Sequence, residues 1–222
     1  MILLKNSWFD APGIRTSKQR QKLAKKIIAT ENFLNYGKDY YDGKPGLGYA
    51  GYKCDGRFNK SVQEIVRKLK LDKNSKIVEL GCAKGCILLE FYNEGIESLA
   101  GFDISKYAID GAPTAIKSKL HNLPISRLYP IPNNSVDLVY SKDTFPHLTE
   151  NELDASLAEI NRIIKNKVSV CYLEIAVASK EEVAEKTLSW DPTHVILKPE
   201  SWWLSKLTLI DCDVQVYFKE LM

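Results

Sequence analysis

The stretch Lys76-Ile77-Val78-Glu79-Leu80-Gly81-Cys82-Ala83-Lys84-Gly85-Cys86-Ile87-Leu88-Leu89-Glu90-Phe91 decides the fold. Its first part, with Ile77, Val78 and Leu80, reads as a buried strand. Its last part sets Ile87, Leu88 and Phe91 at helical spacing. Between them the backbone turns tightly, and Gly81, Ala83 and Gly85 supply the small residues such a turn needs. A helix that starts straight out of this turn leaves free N–H groups where an anionic or polar ligand can approach. Glu79, at the end of the strand, can accept hydrogen bonds from a ligand amine or hydroxyl.

A second strand is expected at 98–103, and Asp103 at its tip lies 22 residues beyond Gly81. An acid at about this distance after a glycine turn takes the hydroxyls of an adenosine ribose. Dinucleotides and S-adenosylmethionine (SAM) share that ribose, and the turn separates them. A dinucleotide site uses G-x-G-x-x-G around a pyrophosphate. Here the order is Glu79-x-Gly81-x-Ala83-x-Gly85, with an acid that repels a pyrophosphate and suits the ammonium of a methionine moiety.

Together with Gly101-Phe-Asp103-Ile104-Ser105 and Asn134-Ser-Val-Asp137-Leu-Val-Tyr-Ser141, these residues resemble the motifs of class I SAM-dependent methyltransferases, in order, over roughly 60–180. Ala83 replaces a more usual Gly, and Lys165-Asn-Lys-Val168 replaces the family's frequent Pro-Gly-Gly turn. The resemblance implies an α/β fold: a Rossmann-like, seven-stranded, mostly parallel sheet with helices on both faces. It implies cofactor contacts at Glu79, Gly81, Cys82, Ala83, Gly85, Asp103, Ile104 and Ser141. SAM is then the methyl donor and S-adenosylhomocysteine (SAH) the product. The segments Gly48–Arg57, Gly81–Gly85 and Asp191-Pro-Thr-His194-Val are similar to a narrower group, methyltransferases of bacterial capsule and surface-carbohydrate gene clusters. Some of that group accompany methyl phosphoramidate decoration.

The periodicity predicts strands at 76–81, 98–103, 136–140 and 168–175, with a short one somewhere in 117–123. Helices are expected near 85–94, 105–118 and 151–165, the last capped by Thr149 or Asn151. This alternation implies a parallel sheet covered by helices. Two final strands, 207–211 and 213–218, match the antiparallel ending of the methyltransferase sheet. Residues 1–57 are expected to form an N-terminal cap, with a helix over 17–35 and a lid rich in Tyr and Gly. Residues 58–222 are expected to be the SAM-binding domain, the whole making one globular unit. The basic side of the first helix (Lys18, Arg20, Lys22, Lys25, Lys26) reads as a solvated face.

Ligands in such sheets bind beyond the carboxyl ends of the strands. There the sequence places Ser141-Lys142-Asp143-Thr144-Phe145-Pro146-His147. His147 is a candidate general base, since an imidazole accepts protons near neutrality, and it fits equally a loop-holding role. Asp143 is a candidate to position or deprotonate an acceptor hydroxyl, or a helix cap. His194 follows Trp190 and Asp191 in a polar, Trp-bearing segment expected over the active site. Tyr49, Tyr52, Arg57, Trp190 and Asp191 are the candidate acceptor contacts, Arg57 being suited to the SAM carboxylate or an acceptor phosphate.

No Asn-Pro-Pro-Tyr-like segment and no Pro-Cys nucleophile follows the 136–140 strand, which argues against a nucleobase acceptor. The net charge of +3 fits a small anionic acceptor without demanding nucleic acid. The acceptor is therefore expected to be a small molecule bearing sugar or phosphate. The competing readings are an RNA or protein methyltransferase and a non-catalytic subunit of the same fold. Tyr40-x-x-x-Lys44 and Tyr49-x-x-x-Lys53 have the spacing used by short-chain oxidoreductases, but both precede the glycine turn. Five cysteines without a Cys-x-x-Cys pair match no zinc pattern. No metal is expected, and reduced thiols in a cytoplasmic monomer or homodimer are. No apolar run reaches the ~20 residues of a membrane helix.

Overall fold

The structure, a computed structural model, describes residues 1–11, 15–24, 29–43 and 51–222. Tyr49 and residues 25–28, which the sequence expects within the first helix, lie outside them. The chain opens with β1 (Ile2–Leu3), α1 (Ser17–Ala24), α2 (Glu31–Leu34), α3 (Lys38–Asp42) and α4 (Asn59–Leu69). The central run is β2 (Ile77–Leu80), α5 (Cys86–Asn93), β3 (Leu99–Phe102), α6 (Lys106–Asp110), α7 (Thr114–Lys117) and β4 (Leu120–His121). It closes with β5 (Leu138–Lys142), a 3-10 turn at Phe145–His147, α8 (Glu150–Ile163), β6 (Val170–Val177), α9 (Glu181–Trp190), α10 (Glu200–Leu207) and β7 (Asp213–Glu220).

The strands form one sheet in the order β1-β7-β6-β5-β2-β3-β4. Every neighbouring pair runs parallel. The seven-stranded Rossmann-like architecture is thus present. Its seventh strand is β1 at the outer edge, and the expected antiparallel ending is absent. Residues 207–211 finish α10 and turn, because Trp203 and Leu207 are spaced for a helix that buries both. The crossover from β6 through α9 and α10 then brings β7 back parallel.

Strand residues alternate between two cores, as a period of two requires. In β5, Leu138 and Tyr140 face a cluster with Val62 and Ile65 of α4 and Phe91 of α5. Val139 faces the other cluster, with Leu153, Leu157 and Ile160 of α8 and Trp203 of α10. Helices therefore cover both faces. α8 starts as expected: Thr149 accepts from the Glu152 N–H at 3.3 Å while Glu152 takes the Thr149 N–H at 2.8 Å.

Two helices expected to be continuous are broken. Pro113 separates α6 from α7, because the residue before a proline is driven out of helical geometry. Thr30 begins a new helix, accepting from the Phe33 N–H at 3.0 Å. The cysteine expectation also fails at one pair. Cys54, in the lid, and Cys86, at the start of α5, are joined as a disulfide with Cα atoms 4.8 Å apart. Spacing along the chain does not reveal a contact made only when the lid folds onto α5. The cytoplasmic placement, which rested on reduced thiols, loses that support. Cys82, Cys171 and Cys212 are free. Among the described residues, no helix is long and apolar enough to cross a membrane.

Candidate active site

The chain runs outward from β2 through β3 to β4, then resumes on the other side at β5. That reversal opens a crevice between the carboxyl ends of β2 and β5. A cavity of about 450 Å³ lies there.

Its cofactor half is built by the glycine turn. Gly81 has φ +77°, and a Cβ on it would stand 1.9 Å from Thr144 Oγ1. Gly85 has φ +72°, and a Cβ on it would stand 2.5 Å from Ile116 Cδ1. Only glycine gives this backbone both the conformation and the room. Asp103 is fixed by two backbone donors, Ala83 N–H at 2.8 Å and Ser105 N–H at 2.7 Å. Burial raises its pKa against those bonds. Glu79 is 3% exposed, and its Oε2 has no hydrogen-bond partner among the described residues. Burial pushes its carboxyl well above the usual range. Glu79, Gly81, Ala83, Asp103 and the exposed Ile104 all line the cavity. An orphaned buried carboxylate oxygen beside a glycine cradle fits the ammonium of SAM, and Asp103 at the tip of the next strand fits its ribose.

Of the other expected cofactor residues, Cys82 is fully buried beneath the turn. Ser141 is spent on the Leu80 carbonyl at 2.9 Å, tying β5 to β2. Gly85 shapes the turn from behind the wall.

The other half of the cavity carries His147, Tyr36, Tyr40, Trp190 and Asp143. Thr193 donates to Asp191 Oδ1 at 2.6 Å, and its oxygen lies 3.0 Å from His147 Nδ1. Since the Thr193 proton is committed to the carboxylate, His147 must be the donor, which leaves a lone pair on Nε2. Nε2 of His147 is buried and has no partner among the described residues. His194 stands behind, its ring 4.2 Å from that of His147 and its Nδ1 3.1 Å from the Asp191 carbonyl. Burial and then His147 lower the His194 pKa to about 4, so this imidazole is neutral. His147, Asp191 and His194 bring donor atoms within 4.8 Å of one another, the types a divalent metal takes. Here the Asp191 carboxylate is already engaged, by Thr193 on Oδ1 and by the Tyr40 hydroxyl on Oδ2 at 3.2 Å.

Asp143 is buried at φ +59°. Burial alone would raise its carboxyl, but Lys219 at 2.7 Å and then Lys142 outweigh it and hold it well below the usual range. Tyr52 and Arg57 line the cavity from the lid, and the Arg57 guanidinium is forked onto Asp55 at 2.8 and 2.6 Å. Trp190 ends α9, while Asp191 and His194 stand behind the cavity wall. The lid is moored to the cofactor turn through Asp42, which takes both Lys84 Nζ and the Tyr107 hydroxyl.

Arg20 is the clearest departure from the expected solvated face. It is 8% exposed, donates to the Leu221 carbonyl at 3.0 Å, and lies 5.3 Å over the Trp190 ring. Pattern likewise does not single out Arg15, Lys142, Thr193 and Lys219, while Tyr36 belongs to the expected Tyr-rich lid. Lys142 lay inside the quoted strand-end segment, and Arg20 carried its sign in a basic helix. Which of several basic residues turns inward depends on α9, which periodicity did not anticipate.

Residues 78–171 match the family model described as a methyltransferase domain. Among solved structures, the YcgJ protein of Bacillus subtilis is 17% identical with TM-score 0.56, over 67% of this chain and 66% of that one. A SAM-dependent methyltransferase of Archaeoglobus fulgidus is 22% identical with TM-score 0.51, over 68% of each chain. The chain thus spans slightly under two thirds of the first of these relatives. No curated protein matches it by sequence. Fold, cradle and family match point the same way: residues 78–171 match a methyltransferase domain, and the cradle around Glu79, Gly81 and Asp103 fits SAM.

Proposed function

We propose that the protein transfers a methyl group from SAM to an oxygen of a small acceptor, a precursor of a bacterial capsule or surface carbohydrate or its phosphoramidate group. The observation that carries the transfer is a single cavity with two unlike halves, an acidic glycine cradle and a wall of imidazole and aromatic groups. The choice of acceptor rests on the sequence resemblance.

SAM supplies a methyl already activated on a sulfonium. The protein then has to align an oxygen with it, exclude water and remove a proton. Lid tyrosines supply the dry wall: Tyr36, Tyr40 and Tyr41 pack edge to face at 5.1 and 5.0 Å between centroids. His147 takes the proton on Nε2. Asp191, acting through Thr193, holds the ring in that tautomer. Asp143, held ionised by two lysines, is a weak proton acceptor and acts through its charge.

The test is transfer of labelled methyl from SAM to sugar, sugar-phosphate and phosphoramidate acceptors, with His147→Ala alongside. Loss of roughly 100-fold or more in kcat is expected for a hydroxyl acceptor. Unchanged kcat would mean that the acceptor oxygen is already ionised and that alignment suffices. Absence of any transfer to all three classes would overturn the acceptor assignment.

A further inference from the structure

Two imidazoles in the acceptor half of the site are prepared in the same way. His194 Nδ1 lies 3.1 Å from the Asp191 carbonyl. A carbonyl only accepts, so the proton sits on Nδ1 and the lone pair on Nε2. His147 has the same tautomer, its Nδ1 donating to Thr193 Oγ1 at 3.0 Å. Both Nε2 atoms are buried without a hydrogen-bond partner among the described residues. The ring centroids stand 4.2 Å apart, and His194 is 5% exposed. Bare acceptors in a buried spot cost the folded chain their hydration, and a ligand that takes both lone pairs offsets that cost.

Asp191 organises the pair. Its carbonyl takes the His194 Nδ1–H, and its Oδ1 takes the Thr193 hydroxyl, whose oxygen accepts from His147. Metal-ligating histidines are oriented in this manner, the other ring N–H held by a carbonyl or a carboxylate-linked group. One donor atom from each of His147, Asp191 and His194 lies within 4.8 Å of the others. Asp191 Oδ2 accepts from the Tyr40 hydroxyl at 3.2 Å, which leaves that oxygen a second lone pair. Ligands on a tetrahedral ion stand roughly 3.3 Å apart, so these side chains must draw in by about an ångström or more. His147 lines the cavity, where its ring has room to move. The other acids of the wall are engaged: Asp143 meets Lys219 and Lys142, and Glu152 Oε2 takes the Thr149 N–H and hydroxyl. Among the described residues Asp191 pairs with no lysine or arginine, so its charge faces only the neutral His194.

We propose that His147, His194 and Asp191 form a binding site for a borderline divalent cation such as zinc, with the remaining coordination position open to the cavity. Imidazole ligands select such an ion over magnesium or calcium, which take oxygen. The ion occupies the Nε2 lone pair of His147 that otherwise takes the acceptor's proton. Metal occupancy and base catalysis at His147 therefore exclude each other. That consequence rests on the methyl-transfer reading, while the cation site does not.

Cobalt(II), whose visible absorption reports its ligands, is titrated into the SAH-saturated full chain, with magnesium as the control. A saturable tetrahedral visible spectrum is expected, erased when zinc displaces the cobalt. His147→Ala and His194→Asn are each expected to weaken cobalt binding about tenfold or more while SAH affinity stays unchanged. His147 stands on the cavity wall rather than in the core, so its variant decides the matter if His194→Asn does not fold. No cobalt binding at millimolar concentration overturns the proposal, as does binding that survives both substitutions. An intense near-ultraviolet thiolate band would put the ion on cysteines and overturn it as well. Magnesium binding as tightly as cobalt overturns the ion class. Zinc is expected to suppress methyl transfer, and undiminished transfer with the site filled overturns the competition at His147. Cobalt binding without SAH binding in the unaltered chain leaves the cation site standing and overturns the methyltransferase reading.

Discussion

At the scale of single residues, the site works through groups whose protonation is set by burial. Glu79 carries a buried oxygen without a hydrogen-bond partner among the described residues and a carboxyl pushed well above its usual range. A cationic ligand needs that carboxyl ionised, so binding releases a proton. SAM affinity is expected to rise from mildly acidic to neutral buffer. In Glu79→Gln it should fall by about 10–100-fold and lose that dependence, read by titration at several pH values. His194 has the opposite sense. Its folded pKa of about 4 lies below the ordinary 6.5, so in that window the unfolded chain binds more protons. Its contribution to stability is therefore present above 6.5 and is lost as pH falls towards 4. The melting temperature should drop more steeply on acidification in the unaltered chain than in His194→Asn. Identical slopes would show that His194 titrates normally.

At the scale of elements, the lid is held by covalent chemistry that no motif announces. The Cys54–Cys86 bond spans 32 positions and ties the lid to the first residue of α5. Closing a loop of that length is worth about 3–4 kcal/mol in the chain-entropy account. Thiol reductant, or Cys54→Ser, is expected to lower the melting temperature and to weaken SAH binding, because the tyrosines over the cradle are moored through the same turn. Equal melting curves with and without reductant would show that Asp42 and the tyrosines hold the lid alone. This contrast marks how far the sequence was readable. The glycine turn, Asp103, the capped helix α8 and the five inner strands are local patterns, and each appears where its pattern stands. The disulfide, the neutral His194 and the inward Arg20 are products of distant segments meeting. Lys142 and Asp143 were visible as a strand end, but Lys219, which fixes their charge state, lies 76 positions from Asp143.

At the scale of the whole molecule, the question is whether the cap is a separate domain. Its first residues are threaded through the sheet's own core. Leu3 pairs with Val216, and the Leu4 N–H reaches the Val216 carbonyl at 2.8 Å. Trp8 stacks on Tyr172 with centroids 4.5 Å apart. Phe9 is fully buried between Tyr140 and Tyr172, in the same cluster as Val62, Ile77 and Phe91. At the other end of the cap, Tyr40 and Tyr41 pack against Ala83 of the cofactor turn and Ala108 of α6. A cap anchored in the middle of β5 and β6 and again at the cradle cannot unfold without opening the core. The chain is therefore expected to unfold in one transition, with the tryptophan fluorescence of Trp8 and Trp203 and the far-ultraviolet helix signal changing together. Phe9→Ala should shift that whole transition by about 3–5 kcal/mol, the usual consequence of emptying an aromatic site in a core. An early step that releases only the cap, leaving the later transition at its original midpoint, would instead divide the molecule at residue 57. The lid would then close over the cradle as an independent body.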